Sequence, residues 1–347
     1  MRLLQWASVK RSLALRTACL TLACAALALS LKPPQEPAPA KRWYKGNLHT
    51  HTLNSDGDST PFEVATWYRE NRYQFLVLSD HNVFTETAGL TAALAAGSQF
   101  LLVPGEEVTS RSGTLPVHLN AYNPRERVAP AGGATLGDVL QNNVNAILQA
   151  GGLPALNHPN FGWAVRSRDA LRLEGLALIE VYNGHPTVYN RGGGGAESLD
   201  EIWDALLTAG KRLNGIAVDD AHDFKRIGKD RSNPGRGWVQ VRCTELTTPE
   251  IIRALASGDF YASTGVVLDD VQTGSGGYRL KIRPASDMKY TTYFIGAEGK
   301  VLAKSYDLAP AYQRAGNESY VRARVEASNG DNAWTQPEYA ATRTTSR

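Results

Sequence analysis

The 347-residue sequence predicts an α/β protein, a distorted seven-stranded (β/α)7 barrel with a small C-terminal antiparallel β-module. Three observations predict it. Seven short apolar runs lie between residues 44 and 220. Helix-like stretches with recognisable ends separate several of them. After about residue 265 the texture changes to alternating half-buried strands. Strand–helix alternation implies a parallel sheet or barrel.

Residues 1–31 stand apart. Arg2, Lys10, Arg11 and Arg16 are basic, no acid accompanies them, and an apolar run over 18–31 is followed by Pro33, Pro34, Pro37 and Pro39. That order reads as an export signal, placing the mature chain in the periplasm or outside the cell. A retained membrane anchor is the alternative, although a full span needs roughly 20 apolar residues. Residues 32–42 read as a Pro/Ala linker, 43–265 as the barrel domain and 266–347 as the β-module.

The net charge of +3 comes from 37 basic and 34 acidic residues. Without residues 1–31 there remain 33 basic and 34 acidic, a net of −1, so no nucleic-acid-binding surface is expected. The expected partner is a small-molecule substrate. Membrane contact is expected only through an uncleaved N-terminal segment, and no obligate protein partner is inferred. Cys243 is the one cysteine beyond residue 31, so the mature chain can form no internal disulfide.

The barrel strands are expected at 44–50, 74–80, 100–107, 117–122, 153–158, 177–183 and 215–220. Near-continuous apolarity over four to eight residues suits strands buried on both faces. Thr60-Pro61-Phe62-Glu63 opens a helix with a cap, a first-turn proline and a first-turn acid. Further helices are expected at 86–96, 135–150 and 198–209, the last two ended by glycine. The module strands are expected at 278–282, 290–295, 301–306 and 320–327.

Each of the seven runs contains, or lies within two residues of, an ionisable side chain, usually at its C-terminal end. Barrel enzymes place their chemistry at that end. His49 and His51 form a His-x-His, which puts two imidazoles on one face of an extended chain. Asp80-His81, Glu107, His118, Asn157-His158 and Asp220-Ala221-His222 mark five further runs. Imidazole mixed with carboxylate suits Zn, Mn or Fe, and the absence of cysteine ligands argues against a structural zinc site. Asp80 and His185 are the candidate catalytic groups beside the metal ligands. Arg111, Arg166 and Arg168 follow strand ends and are the candidates for binding a substrate anion.

The ordered set His49-Thr50-His51, Ser55-Asp56-Gly57, Ser79-Asp80-His81, Pro104 to Glu107, His118, His158-Pro159 and Asp220 to His222 resembles the motif series of the PHP (polymerase and histidinol phosphatase) superfamily. It covers about residues 43–265. On that register Glu107, not Glu106, is the ligand. Trp334-Thr335-Gln336-Pro337 is similar to exported PHP proteins grouped with a carbaryl hydrolase. The resemblance implies a distorted barrel holding two or three divalent ions. His49, His51, Glu107 and Asp220 would hold the first. Glu107, His118 and His158 would hold the second, and Asp56, His81 and His222 the third. Some members have histidine where this chain has Asp56.

The expected activity is therefore metal-dependent hydrolysis of a phosphoester by a hydroxide bridging two metals. Hydrolysis of a carboxyl or carbamoyl ester on the same site is the alternative. A metal-binding module without turnover is a third reading, and loss of a ligand, its expected mark, is not seen.

Overall fold

A computed structural model of the chain describes residues 40–95, 99–274 and 277–340. The expected export segment and nearly all of the linker lie outside the described residues. Among the described residues no helix is long and apolar enough to cross a membrane.

The chain runs through β1 (Arg42–Asn47), α1 (Pro61–Glu70), β2 (Phe75–Val77), α2 (Ala88–Ala95), β3 (Leu101–Val103), β4 (Gly105–Ser112) and β5 (Leu115–Tyr122). It continues through α3 (Leu136–Gln149), β6 (Leu153–Leu156), α4 (Ser167–Ala170), β7 (Leu178–Asn183), α5 (Leu199–Thr208) and β8 (Asn214–Val218). After these come β9 (Trp238–Cys243), α6 (Thr248–Ser257), β10 (Phe260–Ser263), β11 (Leu268–Gly274), β12 (Gly277–Ile282) and β13 (Tyr290–Ile295). The last strands are β14 (Val301–Ser305), β15 (Ala311–Tyr312), β16 (Tyr320–Ala327), β17 (Asn332–Thr335) and β18 (Glu338–Tyr339).

Local chemistry explains the helix starts. Thr60 with Glu63, Thr135 with Asp138 and Ser198 with Glu201 each form a reciprocal capping box, which satisfies two orphan N–H groups at the first turn. Gly258, with φ of 77°, ends α6 in the left-handed region where a side chain would be strained.

The architecture is mixed α/β, with more strands than helices, and its hydrogen-bonded ladders do not close into a (β/α)7 barrel. One sheet runs β14-β13-β16-β17-β10-β9-β1-β2-β3 and a second runs β4-β5-β6-β7-β8. Two local causes interrupt the expected alternation. Pro104, which has no N–H to donate, separates β3 from β4. Then β4 turns directly into β5 through Gly113 (φ 60°) and Thr114, so β5 is antiparallel to both β4 and β6. The two sheets meet at their strand ends through the single bridges Thr50–Ala221 and His81–Glu107.

The strands after residue 265 are antiparallel, as read from the sequence. They do not all stay together. β11, β12 and β15 form a small sheet, while β13, β14, β16 and β17 extend the large one through β10. Buried Arg322 on β16 reaches α5, where it pairs with Asp204 at 2.6 Å and Asp200 at 2.9 Å and stands 4.6 Å from the Trp203 ring. Tyr320 and Trp334 share a core with Trp203, Leu119 and Leu140. The elements α4, β9, α6, β10, β11, β15, β17 and β18 lie outside every strand and helix expected from the sequence.

Candidate metal centre

The strand ends of β1, β6 and β8, the start of β4 and the segment after β2 converge. His49 and His51 follow β1, His81 follows β2, Glu107 sits on β4, His118 on β5, His158 follows β6, and Asp220 and His222 follow β8. Asp56 is carried in by the turn after His51. All nine sequence-derived ligand candidates come together. They fall into four groups whose ligand atoms lie within 4.8 Å of one another: His49/His51/Asp220, His49/Glu107/His158, His81/Glu107/His118 and His51/Asp56/His81/His222. Glu107 is shared by two groups. His118 and His158 fall in different ones.

The floor is buried and the rim is open to solvent. His49, His51 and Glu107 are fully buried, whereas the Asp56 side chain is 53% exposed. On the floor, His49 Nε2 lies 3.1 Å from His51 Nε2, 3.3 Å from Asp220 Oδ1 and 3.5 Å from Glu107 Oε1. At the rim, Asp56 lies 3.4 Å from His51 Nδ1, 3.5 Å from His81 Nε2 and 3.4 Å from His222 Nε2.

The backbone is held in unusual conformations here. His158 (φ 20°), Asp220 (φ 50°) and Asn82 (φ 55°) are left-handed, which costs about 1–3 kcal/mol each and clusters at functional sites. Gly57 is required by close approach, since a Cβ there would stand 2.6 Å from the His51 carbonyl oxygen. Glu106 points the other way from Glu107, as alternation on a strand demands, and accepts from the Val128 N–H at 2.5 Å.

The electrostatics ask for a cation. Neither Glu107 nor Asp220 nor Asp56 pairs with a lysine or arginine among the described residues. Burial opposes ionisation of Glu107, yet His118 and His49 hold its carboxyl well below the usual range, and His49 and His51 do the same for Asp220. Burial would depress the His81 imidazole, but the carboxylates of Asp56 and Glu107 beside it outweigh burial and lift the value to about 10. Burial and the neighbouring His222 push His51 down to about 4. Glu107 Oε2 and His118 Nδ1 are buried without an aligned hydrogen-bond partner, although ring nitrogens and carboxylate oxygens stand within 3.1 Å of them. Unmatched acceptors facing one another around buried carboxylates fit divalent cations.

The other candidates are placed differently. Asp80 belongs to none of the four groups. It accepts from the Thr52 N–H (2.7 Å), the Thr52 hydroxyl (2.8 Å) and the Ser55 hydroxyl (2.7 Å), so it anchors the turn bearing His51 and Asp56. His185 stands beside the cluster, its ring 5.4 Å from that of His222, and its Nδ1 accepts from the Thr187 N–H at 3.3 Å. Arg111 is exposed near the β4–β5 turn, Arg166 lies 5.6 Å from the Trp163 ring, and Arg168 is 83% exposed beside Asp169. Among the described residues none of the three arginines hydrogen-bonds or ion-pairs with a cluster residue.

Sequence reasoning missed several supporting groups. Glu180 is buried on β7 and lies 2.6 Å from His49 Nδ1. Asn157 donates to Glu107 Oε1 at 2.9 Å, and the Thr109 hydroxyl lies 2.6 Å from His81 Nδ1. The available signal for Glu180 was an acid inside the otherwise apolar run Leu178-Ile179-Glu180-Val181.

No protein-family model matches the chain, and neither does any curated protein. Among solved structures it is similar to a two-domain protein from Bacteroides vulgatus containing a predicted PHP-like metal-dependent phosphoesterase. The identity there is 15% and the TM-score 0.49, over 87% of this chain and 97% of that one. An amidohydrolase from Chromobacterium violaceum with bound sulfate is similar at 19% identity and TM-score 0.37, over 54% and 90% of the two chains. A lesion-specific endonuclease from Pyrococcus furiosus is similar at 15% identity and TM-score 0.39, over 62% and 56%. At such identities and scores these likenesses carry no weight beside the geometry.

Proposed function

We propose that the chain is a metal-dependent hydrolase of phosphoesters that acts outside the cytoplasm. The observation that carries the activity is the convergence of His49, His51, Glu107, His118, His158 and Asp220 with no lysine or arginine paired to the buried carboxylates among the described residues. Divalent ions, held there by these residues, would supply Lewis acidity and a water of lowered pKa. His49, His51 and Asp220 form the floor of the centre, and Glu107 joins it to the His118 side. Asp56, His81 and His222 form a further complete donor group at the open rim. A phosphoryl group develops charge on several oxygens, and a centre with donor groups at both floor and rim suits it. His185, whose Nδ1 accepts from the Thr187 N–H, would carry its proton on Nε2 and could donate it to a substrate oxygen. Export is supported by the basic and then apolar composition of residues 1–31.

Elemental analysis of metal-replete protein should find at least two divalent ions per chain, and one or fewer overturns the multinuclear reading. His49→Ala should lower metal content and reduce turnover to background. The kcat/KM for aryl phosphomonoesters or diesters should exceed that for aryl acetates and carbamates, and Asp56→Ala should lower the phosphoester rate selectively. Preference for the carbon esters, unchanged by Asp56→Ala, would transfer the assignment to carboxyl or carbamoyl ester hydrolysis.

A further inference from the structure

Glu180 is a wholly buried carboxylate with no lysine or arginine partner among the described residues, and it stands in none of the four ligand groups. Both its oxygens are committed. Oε1 lies 2.6 Å from His49 Nδ1. Oε2 accepts from the His158 N–H at 2.7 Å and from Asn183 Nδ2 at 2.8 Å. The Asn183 amide also donates to Asp220 Oδ2 at 3.0 Å. One side chain on β7 is thus tied, directly or through Asn183, to candidate ligands that follow β1, β6 and β8.

A β-bulge makes this possible. Glu180 pairs with Ile216 and Tyr182 with Ala217, so Val181 is the extra residue. In a regular strand, positions 180 and 183 would face opposite sides. The bulge brings their side chains to one side, where they hydrogen-bond each other. His158 and Asp220, the two residues reached through Oε2 and Asn183, are among those held at positive φ.

We propose that Glu180 is a positioning residue for the metal centre. It fixes the His49 proton on Nδ1, so that the Nε2 lone pair faces His51, Asp220 and Glu107, and it holds the His158 turn in the same register. The proposal rests on the metal-dependent reading given above. A carboxylate accepting from an imidazole N–H sets the tautomer and raises the basicity of the opposite nitrogen, and loss of such a partner typically weakens metal affinity roughly 10- to 100-fold. A glutamine cannot replace it, because its NH2 would face either the His49 N–H or the two donors at Oε2.

The test is a chelator competition with Zn or Mn on the full chain, comparing the unaltered protein with Glu180→Gln, His49→Ala and the double variant. Glu180→Gln should weaken the tightest ion by roughly 10- to 100-fold, and saturating metal should restore much of kcat. The two substitutions should be less than additive, since part of the effect of the first acts through His49. A merely structural glutamate would give additive effects, or a folded variant whose lost turnover saturating metal does not restore, and either result overturns the proposal. Where Glu180→Gln does not fold, Glu180→Asp decides. Its carboxylate falls short of His49, so unchanged affinity overturns the proposal and a loss of about tenfold or more supports it. An unaltered protein that binds no divalent ion would instead sink the metal-dependent reading itself.

Discussion

Asp80 accepts three hydrogen bonds from the turn that carries His51 and Asp56, which gives it a positioning task. Asp80→Asn places an amide against one of those donors. It should reduce metal content and kcat by roughly 10- to 100-fold while leaving the pKa values of the pH–rate profile in place. A proton-transfer group would instead remove one limb of the profile. The centre also sets how stability depends on pH when chelator has stripped the metal. Glu107 and Asp220 have depressed values when folded, so their contribution is present above the ordinary carboxylate range and is lost as pH falls through it. His81 is raised to about 10, so its contribution is complete below about 6.5 and is lost as pH rises from there toward 10. His49, His158 and His222 are raised too, although burial opposes it. His51 and His185, lowered by burial, act in the opposite sense, but they are two imidazoles against four. The Tm of metal-free protein should therefore peak between about pH 4.5 and 6.5 and fall on both sides. A Tm that climbs steadily from pH 6 to 9 would contradict this balance.

At the scale of elements, the centre is built from strand ends and tight turns. The turn after His51 packs so closely that Gly57 leaves no room for a Cβ against the His51 carbonyl. Asp58 ties this turn to the segment after His222, its N–H donating to the His222 carbonyl at 2.8 Å and its carboxylate accepting from the N–H groups of Phe224 and Lys225 at 3.0 Å. Gly57→Ala should therefore displace Asp56 from His81 and His222. The expected result is loss of the rim ion and of phosphoester turnover, roughly tenfold or more, with the floor ion retained. Metal titration that shows two unaltered stoichiometric sites in Gly57→Ala would refute the role given to this turn.

Across the whole molecule, α5 and the C-terminal strands are joined by a buried charge network. Arg322 meets Asp200 and Asp204, and Tyr320 donates to Asp204 at 3.0 Å. Breaking a buried pair leaves an uncompensated charge, typically at a cost of about 3–5 kcal/mol. Arg322→Met should lower the stability of the chain by that order in urea unfolding, with one transition throughout. Two separated transitions would mean that the strands beyond residue 265 unfold independently of the rest.

Much of this protein is written locally. His49-Thr50-His51, Asp220-Ala221-His222 and the acids and imidazoles closing the other runs marked all nine residues that the structure gathers, because ligand chemistry depends on residue type and on spacing along a strand. The capped helices were equally legible, since a capping box is a four-residue interaction. Sequence alone did not decide how the ladders close. A proline without an N–H at 104 and a two-residue turn at 113–114 reverse one strand, and pairing partners are chosen by burial far along the chain. Nor did it reveal Glu180 or the task of Asp80. Both carboxylates act on groups from distant segments, and only the folded chain brings those segments within hydrogen-bonding distance.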